Sequence, residues 1–264
     1  MIFFWSVLIS GLSLFAGSGL ALGAALGLTG LLLLHFVAGG ITFVAVDAVW
    51  NVLNSFTLSA IPLFIILGEI MLRSEISKKI YLALSPLFQN ISGGLLHTNI
   101  AVCTLFGAVS GSSLSTAAAV GSVAYPEMTE RGYDRQMVVG SLAGGGTLGL
   151  LIPPSLSLLI YGALTETSIG RLFLAGILPG IILASMFMIY IYLRCRQNPL
   201  LAPRIESQLK ITLIIKNILA IWPFLIVVIA IMGSISFGIA TPTEAASVGV
   251  IATIILGKFW GSLT

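Results

Sequence analysis

Two stretches, residues 110–116 and 144–155, set hydroxyls, glycines and prolines inside otherwise apolar sequence. The first reads Ser-Gly-Ser-Ser-Leu-Ser-Thr from Ser110 to Thr116. The second runs Gly144-Gly-Gly-Thr-Leu-Gly149 and ends Ile152-Pro-Pro-Ser155. These residue types offer only oxygen donors, hydroxyl and backbone carbonyl, which suit a hard cation such as Na+. A helix cannot pass Pro153-Pro154 intact, because neither residue has an amide hydrogen and both rings clash with the preceding turn. Three consecutive glycines loosen the backbone just upstream. Irregular backbone at membrane depth survives only when buried in protein or lining a watery cavity. Unwound carbonyls and opposed half-helix ends are how membrane carriers hold coupling ions and anionic solutes. The expected ion donors are Ser110, Gly111, Ser112 and Ser113 on one side, and Gly145, Gly146, Thr147, Gly149 and Pro153 on the other. Ser115, Thr116, Pro154 and Ser155 flank them as candidate solute contacts. Close helix packing by small residues competes for the first stretch, and a simple kink for the second.

The elements that must position these stretches belong to a membrane protein. The 264 residues are 58% hydrophobic and only 8% charged, with mean hydropathy +1.11, whereas a soluble domain carries about 25% charged residues. Composition leaves room for roughly eight spans of ~20 residues. Barrel-type alternation is absent, so the expected fold is an all-α polytopic bundle in a lipid bilayer. Net charge +3 reflects loop residues at the membrane face and implies no nucleic-acid partner. Cys103 and Cys195 lie in or at the end of apolar runs, and buried thiols account for both. No metal-ligand spacing or cofactor motif is present. The apolar start lacks a basic leader region and is expected to be a first span.

In chain order, residues 2–16 and 20–37 predict two apolar helices around Gly17-Ser-Gly19, as a tight hairpin or one kinked helix. Residues 39–56, with Asp47, Asn51 and Asn54, predict an interfacial arm. A span over 58–72 and an amphipathic surface helix over 74–89 follow. Residues 94–127 contain two apolar helices of ~16 residues or fewer, too short to cross the bilayer comfortably, joined by a Ser/Gly tip. This pattern predicts a re-entrant helical hairpin. A broken helix over 136–162, a span over 172–193, a cytoplasmic linker over 196–217 and further helix over 218–264 complete the expectation. Residues 194–216 hold five of the twelve basic residues, Arg194, Arg196, Arg204, Lys210 and Lys216, and basic loops mark the cytoplasmic side. Counting spans back places Arg131, Arg135, Lys78 and Lys79 inside as well, provided that residues 94–127 enter and leave on one side.

Several polar residues have plain structural readings. Glu69 stands four residues before Arg73 and predicts an ion pair near the membrane face rather than a proton relay. Glu244 follows a proline and suits a helix N-terminus. His35 and His97 are expected to be structural, and Asp134 with Arg131 and Arg135 to form a solvated turn. A serine hydrolase would need a base within reach of its nucleophile. His97 lies ~15 residues, ~22 Å along a helix, before Ser112, so no dyad forms.

The same stretches resemble the large membrane (DctM-type) subunit of tripartite ATP-independent periplasmic transporters. The resemblance rests on Ile61-Pro-Leu-Phe64 through Gly68-Glu69, Ser110-Gly-Ser112, Glu127, Arg131-Gly-Tyr-Asp134 and Gly149 to Ile152-Pro-Pro-Ser155. It continues through Ile160-Tyr-Gly162, Ser168-Ile-Gly170, Leu174-Ala-Gly176, Pro179-Gly180 and Thr241-Pro-Thr-Glu-Ala-Ala246. It implies an elevator-type symporter of two inverted repeats in the bacterial inner membrane. It also implies Na+ as coupling ion and uptake of an organic acid, such as a C4-dicarboxylate or sialic acid. The implied partners are a soluble periplasmic solute-binding protein and a small four-helix membrane subunit. Two departures stand out. Many members carry Asp where this chain has Thr116, so that carboxylate's role does not carry over. Residues 1–195 correspond to the first repeat and 218–264 only to the start of the second, which keeps a proton-coupled carrier or a non-transporting structural subunit open as alternatives.

The hairpin expectation is tested by single cysteines at His97 and Glu130. Both should react with an impermeant maleimide from the same side of the membrane, and labelling from opposite sides would rule the hairpin out.

Overall fold

The computed structural model describes residues 1–203, 217, 219 and 221–262, and among them every regular element is a helix. Of the expected linker, Arg204, Lys210 and Lys216 lie outside the described residues. Among the described residues three helical stretches are long and apolar enough to cross a membrane: 135–164, Ile169–Gln197 and Pro242–Phe259. The other apolar helices among the described residues run 10–17 residues, shorter than the ~20-residue spans that composition leaves room for. Glycine, serine and proline divide the hydrophobic sequence into shorter pieces.

Residues Met1–Ser55 form one compact unit of α1 (Ile2–Gly17), α2 (Leu22–Phe36) and α3 (Phe43–Leu53). Helices α1 and α2 are a true hairpin rather than one kinked helix. Gly11 of α1 lies so close to Thr29 of α2 that an added Cβ would stand 3.0 Å from the threonine methyl. Thr29 is buried, and its hydroxyl donates to the Ala25 carbonyl at 2.7 Å, which satisfies the polar group within its own helix. Helix α3 occupies the middle of the expected arm and buries none of its residues.

The second unit, Phe56–Thr264, contains α4 (Ala60–Arg73), α5 (Ile76–Phe88), α6 (Leu95–Ser110), α7 (Ser113–Glu130), α8 (Arg135–Leu151), α9 (Leu156–Leu164), α10 (Ile169–Gln197), α11 (Trp222–Ser236) and α12 (Pro242–Phe259). Its centre is the hairpin α6–α7 with α8 packed against both arms. Helix α8 runs parallel to α6 in fixed register. Asn99 donates from Nδ2 to Ser141 Oγ at 2.9 Å, 42 residues on. Cys103 faces Gly145 and Gly107 faces Gly149 at the same offset. Against α7 the direction is antiparallel, with Gly121 facing Leu142, and Gly146 facing Ala117 and the Ser113 carbonyl. An added Cβ at Gly107 would come 2.6 Å from Gly149 Cα, so the two backbones touch. Close approach of this kind replaces the hydrophobic drive that helices in lipid lack.

Polar contacts gather at one end of this unit. The Leu95 amide donates to Tyr133 Oη at 3.3 Å, and the Asp134 amide donates to the Leu201 carbonyl at 3.0 Å. His97 Nε2 lies 2.9 Å from the Ser92 carbonyl, a structural contact. Ile191 of α10 packs over Gly93. The start of α6, the α7–α8 turn and the end of α10 therefore meet. Burial pushes the Tyr133 phenol above its ordinary pKa, so it stays a neutral clamp. Asp134 is more than part of a solvated turn: its carboxylate caps α8 by accepting from the Met137 amide at 2.9 Å. Arg131 pairs with Glu127 at 2.6 Å instead.

Helix α5 has the expected amphipathic pattern, but its apolar face meets protein. Ile76, Ile80 and Tyr81 are fully buried against the hairpin, because periodicity alone does not distinguish a lipid from a protein neighbour. Helix α12 runs alongside α4 in the same direction. Thr243 Oγ1 donates to the Phe56 carbonyl at one end, and the Ser262 amide to the Ser74 carbonyl at the other. Lys79 donates to the Trp260 carbonyl at the α12 C-terminus, where the helix dipole favours a cation. Glu244 completes a capping box with Thr241 at the start of α12, and Glu69 pairs with Arg73 at 2.7 Å.

The contact between α6 and α8 makes a direct prediction. Gly107→Ala must separate two backbones and should cost about 1–3 kcal/mol, the range of overpacked cores. Gly233→Ala in α11, where an added Cβ meets nothing within 4 Å, should leave stability unchanged or slightly raised. Thermal unfolding of the two variants in detergent measures the difference, and equal midpoints would refute the backbone contact.

Candidate ion and solute site

Both sequence breaks survive in the fold, but each is narrower than its sequence suggests. The hairpin turns on two residues. Gly111 closes α6 at φ +58°, ψ 10°, and Ser112 is extended as the N-cap of α7. A left-handed residue at this buried position favours glycine, since a Cβ there would be strained and would stand 3.0 Å from Leu156 Cγ. Residues 113–116 are helical. In the second stretch, Gly144 through Leu151 continue α8, and the break is confined to Ile152, Pro153, Pro154 and Ser155. The Pro153–Pro154 bond is cis.

This corrects the expectation that Gly145–Gly149 unwinds. Gly145, Gly146 and Thr147 sit inside the helix, where a carbonyl's partner is the amide four residues on. Their smallness serves packing against Cys103, Ala117 and Ser113. Thr147 is exposed, and its hydroxyl returns to the Gly144 carbonyl at 2.6 Å. Gly149 differs. The amides due to the Gly149 and Leu150 carbonyls would belong to residues 153 and 154, both prolines without N–H. The Ile152 amide serves Leu148, and the Ser155 hydroxyl donates to Leu150. The Gly149 carbonyl is therefore left without its helical donor.

The fold brings the two breaks together. Gly111 lies against the first turn of α9, where an added Cβ would stand 3.1 Å from the Leu156 amide nitrogen. The α8 end is equally close to the hairpin. A Cβ on Gly149 would meet Thr116 Oγ1 at 2.8 Å and the Ser112 carbonyl at 3.3 Å. Within the tip, Ser110 Oγ and Thr116 Oγ1 are 2.6 Å apart and both residues are buried. Ser110 Oγ also donates to the Ser112 carbonyl at 3.2 Å. Thr116 thus locks the turn from inside. Pro153, Pro154 and Ser155 are buried, whereas Ser112, Ser113 and Ser115 are partly accessible.

Two outer contacts join partners that local sequence does not reveal. Gly68 of α4 presses on the backbone of Ser110, with its added Cβ 3.1 Å from Ser110 Cα. Gly176 of α10 presses on the Leu151 carbonyl at 2.9 Å by the same measure. Both glycines stand in stretches that carry the family resemblance, Gly68-Glu69 and Leu174-Ala-Gly176, but their partners are distant in sequence. Gly176 and Gly180 cover the α8–α9 break, while Ile191 marks the opposite, clamped end. At 1.5 Å per residue the break lies ~17–22 Å from that end along α10.

No Asp, Glu, Lys or Arg occurs between Lys79 and Glu127, or between Arg135 and Glu166. The joined breaks therefore offer carbonyls, hydroxyls and helix ends without a formal charge from their own segments. The C-terminal ends of α6 and α8 present partial negative charge, and the N-terminal ends of α7 and α9 partial positive charge. Such an arrangement can bind a cation and an anion side by side. Among the described residues no group of His, Cys, Asp and Glu is arranged to hold a metal ion.

Comparison with known proteins bears on what this arrangement serves. The family model described as the tripartite ATP-independent periplasmic transporter, DctM component, matches residues 9–263. The C4-dicarboxylate TRAP transporter large permease protein DctM of Pseudomonas aeruginosa is 37% identical over 236 residues, covering 89% of this chain and 54% of that protein. The ectoine TRAP transporter large permease protein TeaC of Halomonas elongata is 39% identical over 202 residues, 76% of this chain and 46% of its own. The sialic acid TRAP transporter large permease protein SiaM of Vibrio cholerae is 33% identical over 219 residues, 83% and 50% respectively. The chain spans about half the length of the curated relatives it matches. This is a family of membrane permease subunits, not of enzymes, and the chain belongs to it: it is a member of the DctM-component family of tripartite ATP-independent periplasmic transporters.

Proposed function

We propose that this chain carries one ion-binding half of a TRAP-type permease that takes up an organic acid with Na+ across the bacterial inner membrane. The observation that carries the reading is the meeting of the hairpin tip with the α8–α9 break, in stretches free of formal charge. Sodium would sit among the carbonyls of Ser110–Ser113 and the unpaired end of α8, at Gly149 and Pro153. A carboxylate would lie beside it, near Ser115 and the N-termini of α7 and α9, attracted by the bound cation and by the helix ends. Thr116 and Ser155 would hold the two breaks in shape through their internal bonds rather than touch the solute.

Coupling follows from the cost of leaving carbonyls unpaired at depth. An ion that fills the gap stabilises the closed arrangement of both breaks, and the solute completes it. Whatever factor Na+ contributes to solute affinity, solute must return to Na+ affinity. In this reading the solute arrives on a soluble periplasmic binding protein, a small membrane subunit docks on the permease, and the hairpin unit moves as an elevator within two inverted repeats. The relatives' names span a C4-dicarboxylate, ectoine and sialic acid, so the solute class for this chain is proposed no more finely than organic acid.

The ion reading is tested on the chain alone by placing a cysteine at Ser112, since native Cys103 and Cys195 are buried. Na+, and not K+ or choline, should slow maleimide labelling at position 112 several-fold, and Gly111→Val should abolish that protection. Equal labelling in Na+ and K+ would overturn the sodium site. Uptake in proteoliposomes, with the chain joined to the second half its relatives possess and with the binding protein present, then tests coupling. Transport indifferent to a Na+ gradient would reject symport with sodium.

A further inference from the structure

A second opening lies away from the breaks, between α8 and α10 toward the clamped end. It is a cavity of about 490 Å³, within the range of about 300–1,000 Å³ typical of small-ligand sites. Its inner wall includes Gly140, Gly144 and Phe187, and its outer part carries Gln136, Tyr190 and Arg194. An added Cβ at Gly140 would meet nothing within 4 Å, and one at Gly144 would reach the Phe187 ring at 3.5 Å. The two glycines therefore leave a slot beside the aromatic ring rather than a filled helix contact.

Arg194 is the first charged residue after the uncharged stretch 172–193 of α10, and so marks where that helix leaves the apolar layer. It makes no ion pair among the described residues, unlike Arg73, Lys78 and Arg131, each of which faces a carboxylate. Asp134 also lines the cavity, but its carboxylate is engaged by the Met137 amide at the start of α8. From Arg194 inward to Phe187 is ~10 Å along the helix. A cation without an ion pair among the described residues, set at the membrane boundary with an apolar slot running inward from it, matches an anionic amphiphile better than a water-soluble anion.

We propose that this cavity binds an anionic glycerophospholipid, with its phosphate on Arg194 and one acyl chain laid along Gly140, Gly144 and Phe187. A guanidinium grips phosphate through paired, charge-assisted hydrogen bonds, and Gln136 and Tyr190 supply neutral donors beside it. The acyl chain gains burial that a headgroup fragment or inorganic phosphate cannot. Basic pockets between membrane helices near the bilayer surface are suited to such headgroups. The site goes beyond the transport reading, because it uses neither break and needs no Na+.

The test uses the whole 264-residue chain, delipidated in mild detergent and offered phosphatidylglycerol or phosphatidylcholine in equal amounts. Bound lipid is counted by native mass spectrometry. Phosphatidylglycerol should be retained about fivefold over phosphatidylcholine, the preference that ~1 kcal/mol from one basic residue at the surface provides. Arg194→Gln should remove that preference, while Arg196→Gln, whose guanidinium bonds Tyr192, should keep it. Gly144→Leu should lower retention of both lipids by filling the slot, with helical circular dichroism unchanged. Undiminished preference in Arg194→Gln would overturn the proposal. So would displacement of the lipid by inorganic phosphate or succinate at equal concentration, which would mark a site for free anions.

Discussion

The backbone contact between Gly107 and Gly149 is the constraint on which the second unit depends. With no side chain on either residue, α6 and α8 approach until an added Cβ would lie 2.6 Å from the opposing Cα. Lipid tails are as apolar as leucine, so burying apolar surface does not by itself hold two membrane helices together. Close van der Waals packing and buried hydrogen bonds do. The contact repeats one turn away at Cys103 and Gly145, and again at Asn99 and Ser141, where a hydrogen bond fixes the register. Slipping this register would bury side chains against backbone and break the Asn99 bond. The level of the α8 end relative to the hairpin tip is therefore set along the whole length of the pair.

That level decides the character of the proposed site. The prolines at 153 and 154 deprive α8 of its last amides, and the hairpin arrives at the same height with Gly111 and Ser112. Four helix ends then converge where the chain has no formal charge nearby in sequence. A built-in carboxylate would hold a cation strongly and would have to be desolvated or protonated when empty. Carbonyls and hydroxyls hold it less strongly, and their internal bonds, Ser110 to Thr116 and Ser155 to Leu150, keep the turn intact in the absence of a ligand. Weak, reversible binding is what a carrier requires. Thr116 fits this pattern as a neutral bolt inside the turn.

The opposite end of the unit is built by different chemistry. Tyr133, Asp134 and His97 bind backbone groups here. Arg131 and Arg135 flank Tyr133 and Asp134 in sequence, and Arg194 and Arg196 close α10 just beyond Ile191, which packs over Gly93. The polar end fixes where the helices enter the apolar layer, while the glycine contacts fix how deep the breaks lie within it. Arg194, which has no ion pair among the described residues, and the slot beside it belong to this boundary.

The sequence by itself determined the all-helical class, the two interruptions and several local contacts. Proline without an amide, glycine in an apolar run, a carboxylate four residues from an arginine, and Thr-Pro-Thr-Glu at a helix start act within a turn or two of chain. Their outcomes at Pro153, Gly111, Glu69 and Glu244 could be read directly. The extent of the second break could not. Three glycines permit unwinding and equally permit close packing, and only the presence of Cys103, Ala117 and Thr116 across the interface selects packing for Gly145, Gly146 and Gly149. The same holds for α5, whose apolar face could have met lipid but meets the hairpin, and for Gly68 and Gly176, whose partners are distant in sequence. Local rules specify what each segment can do alone. Which surface fills an apolar or glycine face is a property of the assembled helices, and that choice brought the two breaks together.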